Sequence, residues 1–276
     1  MYEYHTHTTN SPDSRVKMHE YCERAIEIGI QEIAFTDHID HDPADRTRGH
    51  NKYPAYMADI ATCRDQYGDR LTILAAAEVD WNRQTATDVA AYLVDKPFDF
   101  IICSVHWIAG EYLGERARKH PSIAVYQQYL DEIEALVTTE DFFHVIGHFD
   151  LGKRYDIVNG RIDLEHNRAQ LGRIFDAMAA RGKGFDLNTS AVRTAAREPM
   201  PGADILRLFR EHGGEHITIG SDTHMVSTLG TNIEVAVQTL RDAGWTTVSH
   251  IEGGRLVAVP LERVMDALRV ATPTFA

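Results

Sequence analysis

The stretch MYEYHTHTTNSPDS at the start of the chain carries two imidazoles one residue apart, His5 and His7. Comparable residues recur along the chain in AFTDHID (His38), AAEVDW (Glu78), CSVHW (His106), IGHFD (His148) and IGSDTH (Asp222 and His224). With Asp13 these make nine candidate ligands, and no thiolate joins them. Neutral imidazoles and carboxylates suit borderline-to-hard dications such as zinc, iron or manganese. One tetrahedral zinc takes four ligands, so nine donors suffice for two or three metals that share carboxylates. Glu78, alone on its strand, is the expected bridge. Each motif taken singly is weak, because half-exposed histidines are common on ordinary surfaces; their repetition after successive apolar segments is what points to a metal centre.

The charge of such a centre selects a substrate class. Three dications outweigh Asp13, Glu78 and Asp222 even after a bound hydroxide is counted, so the pocket favours an anion. Metals there lower the pKa of a bound water and neutralise phosphoryl oxygens during in-line displacement. The expected reaction is hydrolysis of a phosphate ester rather than of a neutral amide.

Elements must bring these residues together. Short apolar segments alternate with longer amphipathic ones, the pattern of strand and helix units around a parallel sheet. Strands are predicted near Tyr2 to His5, Glu32 to Thr36, Leu71 to Ala77, Phe98 to Ser104, Phe142 to Gly147, Gly184 to Leu187 and His216 to Gly220. Helices are predicted in HEYCERAIEIG, YPAYMADIATCRDQYG, TATDVAAYLVD, SIAVYQQYLDEIEALV, LEHNRAQLGRIFDAMAARG, ADILRLFREHGG, NIEVAVQTLRDAGW and PLERVMDALRV. Several should close on a left-handed glycine, at Gly29, Gly68, Gly182 and Gly213. TVSHIEGGRLVAV reads as a hairpin or edge strand. Histidine or carboxylate follows six of the seven strands, and in a parallel barrel those positions share the carboxyl-terminal rim, where such folds build active sites. The polar segment HIDHDPADRTRGHNKYP after the second strand reads as a lid, a substrate wall or a plain surface loop of the same composition.

Bulk properties fit one barrel-sized unit. The 276 residues contain no internal repeat or linker, so a single domain over 1–276 is expected. No apolar run reaches the length that spans a bilayer, and the N-terminus carries no secretory signal, so the expected location is cytoplasmic. Cys22, Cys63 and Cys103 are widely spaced and read as buried side chains. A net charge of -13, with no basic stripe, disfavours nucleic acid as a partner. The 15 histidines are the unusual count.

HTHTTNSPDS, AFTDHID, AAEVDW, SVHW, GHFD and GSDTH, in that order over residues 4–224, resemble the motifs of the polymerase and histidinol phosphatase (PHP) superfamily, most closely its stand-alone histidinol-phosphate phosphatases. The resemblance implies an α/β fold, a distorted TIM-like (β/α)7 barrel with a trinuclear site. A first metal would be held by His5, His7, Glu78 and Asp222, a second by Glu78, His106 and His148, and a third by Asp13, His38 and His224. Glu78, Asp222, His224 and Asp13 would also be the catalytic residues. Asp13 stands where many relatives place a histidine, a change that bears on metal preference. Arginines act on the phosphate in these phosphatases; NTSAVR and LGKRY supply Arg193 and Arg154 as the matching residues, with Asn188 positioning the loop or the substrate.

The implied reaction releases histidinol and inorganic phosphate from L-histidinol phosphate in histidine biosynthesis, with the loop from Asp40 to Tyr53 facing the substrate's cationic amine. Two other readings use the same motifs: a phosphoesterase acting on a nucleotide, nucleoside bisphosphate or short single strand, and a non-catalytic metal-binding domain. Trp107 is expected either to wall the pocket or to pack under the rim. His19, His41, His50, His120, His144, His166, His212, His216 and His250 read as solvated or capping residues, and Arg197 as a surface residue.

Overall fold

The computed structural model describes residues 1–119, 123–156 and 160–264. Its strands are β1 (Tyr2–Thr6), β2 (Glu32–Phe35), β3 (His38–Ile39), β4 (Thr72–Asp80), β5 (Phe100–Ser104), β6 (Trp107–Ile108), β7 (Glu111–Tyr112), β8 (Val145–Ile146), β9 (Gly184–Asn188), β10 (Ile217–Gly220), β11 (Thr247–Glu252) and β12 (Arg255–Pro260). The helices are α1 (Met18–Glu27), α2 (Tyr53–Tyr67), α3 (Ala86–Leu93), α4 (Leu113–Lys119), α5 (Ile123–Thr139), α6 (Arg168–Ala180), α7 (Ala203–Glu211) and α8 (Ile233–Asp242). Seven strands pair in the order β1-β2-β4-β5-β8-β9-β10, all in parallel, and β3 continues the path beyond β2 by pairing with β4. A parallel bridge between Thr6 and Thr223 joins the first strand to the chain just past the last. The His7 N–H donates to the Thr223 carbonyl at 3.0 Å there. This is the expected seven-stranded barrel.

Alternation along β4 shows how the barrel fills. Leu74 and Ala76 face inward and pack with Tyr4, Ala34, Phe100, Ile102 and Val145. Ile73, Ala75, Ala77 and Val79 face the helices and join the outer core. Glu78 follows the inward set at the same period of two, so an apolar floor gives way to a carboxylate near the carboxyl end of the strand. The strand runs through Asp80, beyond the expected end at Ala77, which places Glu78 inside the ladder rather than after it.

β1 departs from regular alternation, and the site depends on that departure. Tyr4 and His5 would face opposite sides of an ideal strand. A register shift between Glu3 and Thr6 turns both inward: the Tyr4 ring packs 5.4 Å from Phe100, and His5 Nε2 reaches within 3.2 Å of Glu78. Gly220 makes room on the neighbouring strand, since a Cβ there would lie 2.3 Å from the His5 Cβ.

The segment read as a hairpin or edge strand is the antiparallel pair β11–β12, turning at Gly253 and Gly254 with φ of 59° and 72°. It closes the amino-terminal mouth of the barrel. Ile251 joins the interior cluster, its N–H donates to Tyr4 Oη at 3.1 Å, and Tyr4 Oη in turn donates to Glu32. Burying the Ile251 side chain contributes about 1.5–3 kcal/mol.

Some boundaries differ from expectation. β8 has two residues where six were expected, although the His144 and Gly147 N–H groups still bond to Ile101 and Cys103 carbonyls across the same edge. Gly29, Gly182 and Gly213 close their helices in the left-handed region, whereas Gly68 stays right-handed with φ -64°. The small β6–β7 hairpin and α4 were not expected, because EYLGERARK has too few apolar residues to show a period. Residues 261–264 begin the helix expected in PLERVMDALRV, and its remainder lies outside the described residues, as does His120. Among the described residues no helix is long and apolar enough to cross a membrane.

Candidate metal centre

All nine candidate ligands converge on the carboxyl-terminal rim, with Glu78 as the hub. Its Oε2 lies 3.2 Å from His5 Nε2, 3.4 Å from His7 Nε2 and 3.2 Å from His38 Nδ1. Its Oε1 lies 2.9 Å from His148 Nε2 and 3.5 Å from His106 Nε2. Asp222 Oδ1 stands 3.4 Å from His7 Nε2 and 3.8 Å from His5 Nε2. Asp13 Oδ2 stands 2.9 Å from His224 Nε2 and 3.5 Å from His38 Nε2.

Donor atoms within 4.8 Å of one another form four groups among the described residues: His7, Asp13, His38 and His224; His5, His7 and Asp222; His5, Glu78 and His148; and His38, Asp40 and His106. Asp40 is the member that the motifs did not single out. His148 and Asp222 have positive φ, 28° and 49°, a conformation that non-glycine residues rarely adopt and that accumulates at functional sites.

The donor set fits metal ions on this geometry. His5 Nε2, His7 Nε2 and His38 Nδ1 are buried and make no hydrogen bond, yet all three point at Glu78. Buried imidazole nitrogens left this way are costly unless something binds them. Burial, reinforced by His38 and His224, pushes His7 down to about 3, so it is the neutral ligand form near pH 7. Burial alone would raise Glu78 and Asp222; without metal, protonated His5 and His38 hold Glu78 well below the usual carboxylate range, and Arg154 and His5 do the same for Asp222.

A second layer orients these ligands, and the motif reading did not identify it. Asp186 Oδ2 lies 2.7 Å from His5 Nδ1, Asp80 Oδ1 lies 3.3 Å from His106 Nδ1, and Ser11 Oγ lies 3.2 Å from His7 Nδ1. Ser11 donates to Asp37 and Ser104 donates to Glu78. A proton held on the outer ring nitrogen leaves the inner lone pair free for a metal. The available signal was a carboxylate inside an apolar strand, in FDLN and EVDW, two residues from another polar group and thus on the same face.

A cavity of about 520 Å³ opens above the cluster. Arg154, Tyr112, Tyr155 and Trp107 form part of its wall, and Asp40, Asp45 and Thr47 come from the segment expected to face the substrate. Arg154 Nη1 lies 3.2 Å from Asp222 Oδ2. Arg193 differs from expectation: it does not line the cavity, and its guanidinium donates to the Ser221 carbonyl at 3.0 Å and to Thr231 Oγ1 at 3.0 Å. The short helix Ser190–Arg193 directs it against the turn before Asp222. Asn188 is likewise absent from the wall; it lies 3.3 Å from His5 Nδ1 and accepts hydrogen bonds from Ser190.

Fold and site together define a parallel (β/α)7 barrel whose rim gathers histidines and carboxylates that could hold metal ions. The PHP domain profile matches residues 3–190, more than half of the chain, and the chain belongs to that family. Asp222 and His224 lie beyond the match and are returned to the rim by the last barrel strand. A protein from Deinococcus radiodurans named "Probable histidinol-phosphatase" is 27% identical over 255 residues, covering 89% of this chain and 94% of the relative. The histidinol-phosphatase of Lactococcus lactis subsp. lactis is 25% identical over 262 residues, covering 92% and 95%. The crystal structure of a histidinol phosphate phosphatase from the same organism, complexed with zinc, L-histidinol and phosphate, superposes with a TM-score of 0.80 at 24% identity, covering 92% of this chain and 98% of that one.

Proposed function

We propose that this chain is a metal-dependent phosphomonoesterase that hydrolyses L-histidinol phosphate to histidinol and inorganic phosphate. The observation that carries the reading is the meeting of five imidazoles on Glu78 beside a cavity wall bearing Arg154. The proposal includes three divalent ions, zinc, iron or manganese: one on His5, His7, Glu78 and Asp222, one on Glu78, His106 and His148, and one on Asp13, His38 and His224. It also includes a single domain over 1–276 and a cytoplasmic role in histidine biosynthesis. When bound, such ions supply an activated water and neutralise phosphoryl oxygens.

The chain's own residues argue that cations are needed. Against one arginine, the cavity wall carries the carboxylates of Asp13, Asp40, Asp45, Glu78 and Asp222. A phosphate dianion would be repelled by that set unless cations outnumbered it. Arg154 offers a planar fork that matches phosphoryl oxygens while keeping its bond to Asp222. Arg193 acts on the Ser221 carbonyl, and Asn188 acts on the His5 side of the site. Asp40 and Asp45 give a cationic amine a place in the same cavity, and Tyr112, Tyr155 and Trp107 give an imidazole ring apolar faces.

The test is phosphate release across a set of monoesters, with metal analysis of the same preparation. Histidinol phosphate should be turned over in preference to nucleotides and short single strands. Equal turnover of nucleotides would replace this reading with that of a nucleotide phosphatase, and bound metal without any turnover would leave a metal-binding domain.

A further inference from the structure

We propose that Lys153 is a positioning residue that delivers Arg154 to the phosphate; the inference rests on the reading of Arg154 given above. Lys153 is 1% exposed, and its ammonium meets three oxygens: Asp150 Oδ2 at 2.6 Å, the Pro199 carbonyl at 2.7 Å and Glu198 Oε1 at 3.2 Å. The Pro199 carbonyl accepts a hydrogen bond, and the two carboxylates are ion-pair partners of the ammonium. Asp150 Oδ2 also accepts the Gly202 N–H at 3.1 Å, and Glu198 is paired with Arg161 at 2.6 Å. The one side chain therefore ties the turn Leu151–Arg154 to the loop that leads into α7.

The rest of that turn is equally constrained. Phe149 and Leu151 are buried, and a Cβ on Gly152 would come within 2.1 Å of the Tyr126 ring of α5. Arg154 is the next residue and the first to emerge, with its side chain 28% exposed and in the cavity wall. Lys153, Asp150 and Glu198 do not line that cavity, so Lys153 acts through its neighbour and not on substrate. With anchor and guanidinium on adjacent residues, a shift of the anchor passes directly to the fork, and shifts of about 1 Å are enough to change rates.

The test uses the metal-loaded full chain and inorganic phosphate as a competitive inhibitor. Lys153→Met and Arg154→Met should each raise the phosphate inhibition constant and the KM roughly tenfold, with metal content per chain unchanged. The double variant should be no worse than Arg154→Met, because the two side chains act through one contact. Unchanged phosphate inhibition in Lys153→Met, or a full additive loss in the double variant, would overturn the proposal. Removing one partner of a buried pair can prevent folding; in that event Glu198→Gln replaces it, with a roughly threefold rise expected that disappears in the Arg154→Met background. The proposal is overturned if that rise is absent or additive. If Arg154→Met itself leaves phosphate inhibition unchanged, the reading of Arg154 falls and takes this inference with it.

Discussion

His5 and Asp186 form a buried pair, Nδ1 to Oδ2 at 2.7 Å, on the side of the ring opposite the nitrogen that faces Glu78. Asp186 thereby sets which ring nitrogen of His5 keeps its lone pair for the site. Asp186→Asn keeps the shape and loses the charge, so affinity for metal should fall about 10–100-fold. Competition with a chelator of known strength measures it. An unchanged affinity would show that the pair is only packing.

Replacement of the hub should be more severe. Glu78→Gln removes the carboxylate approached by five imidazoles, and more than one ion should be lost from each chain. Turnover should drop by more than the roughly 100-fold expected for an outer residue. Metal content and phosphate release on one preparation test this together; full metal content in the variant would contradict the hub.

The two arginines should separate in their effects. Arg154→Met should weaken inhibition by inorganic phosphate roughly tenfold, or about 1.4 kcal/mol. Arg193→Met should leave that inhibition nearly unchanged and weaken metal retention instead, because its guanidinium holds the Ser221 carbonyl beside Asp222. Equal loss of phosphate affinity in both would restore Arg193 to the phosphate.

Removing metal should also cost stability. Ions that bind only the folded chain stabilise it by about 4 kcal/mol when free metal is a thousandfold above Kd, a fall in Tm of roughly 8–15 °C on chelation. Calorimetry before and after chelation, and after metal is restored, shows whether the site is coupled to the fold in this way.

The barrel floor offers a control remote from the chemistry. Ile251→Ala opens a cavity against Tyr4 and Phe100 and should destabilise the protein by about 2–5 kcal/mol. Activity per folded molecule should remain, since the hairpin closes the mouth opposite the rim. Denaturant unfolding and turnover at low temperature separate the two effects.

The strand and helix order, the nine candidate ligands and the rim they share were legible because each is a local property. An apolar run of strand length ends in a histidine or carboxylate, and in a parallel barrel all such ends face one way. Tertiary structure alone decided the rest. The register shift in β1 that turns both Tyr4 and His5 inward depends on how that strand meets its neighbours. Asp186 and Asp80 look like any buried polar residue until folding brings a histidine ring to each. Arg193 and Arg154 each end a short helical turn, yet one meets a backbone carbonyl and the other a cavity. Residue type and spacing determine which groups are available and which face of a strand they occupy; which partner each one meets is a matter of distance across the fold, and chain order does not encode it.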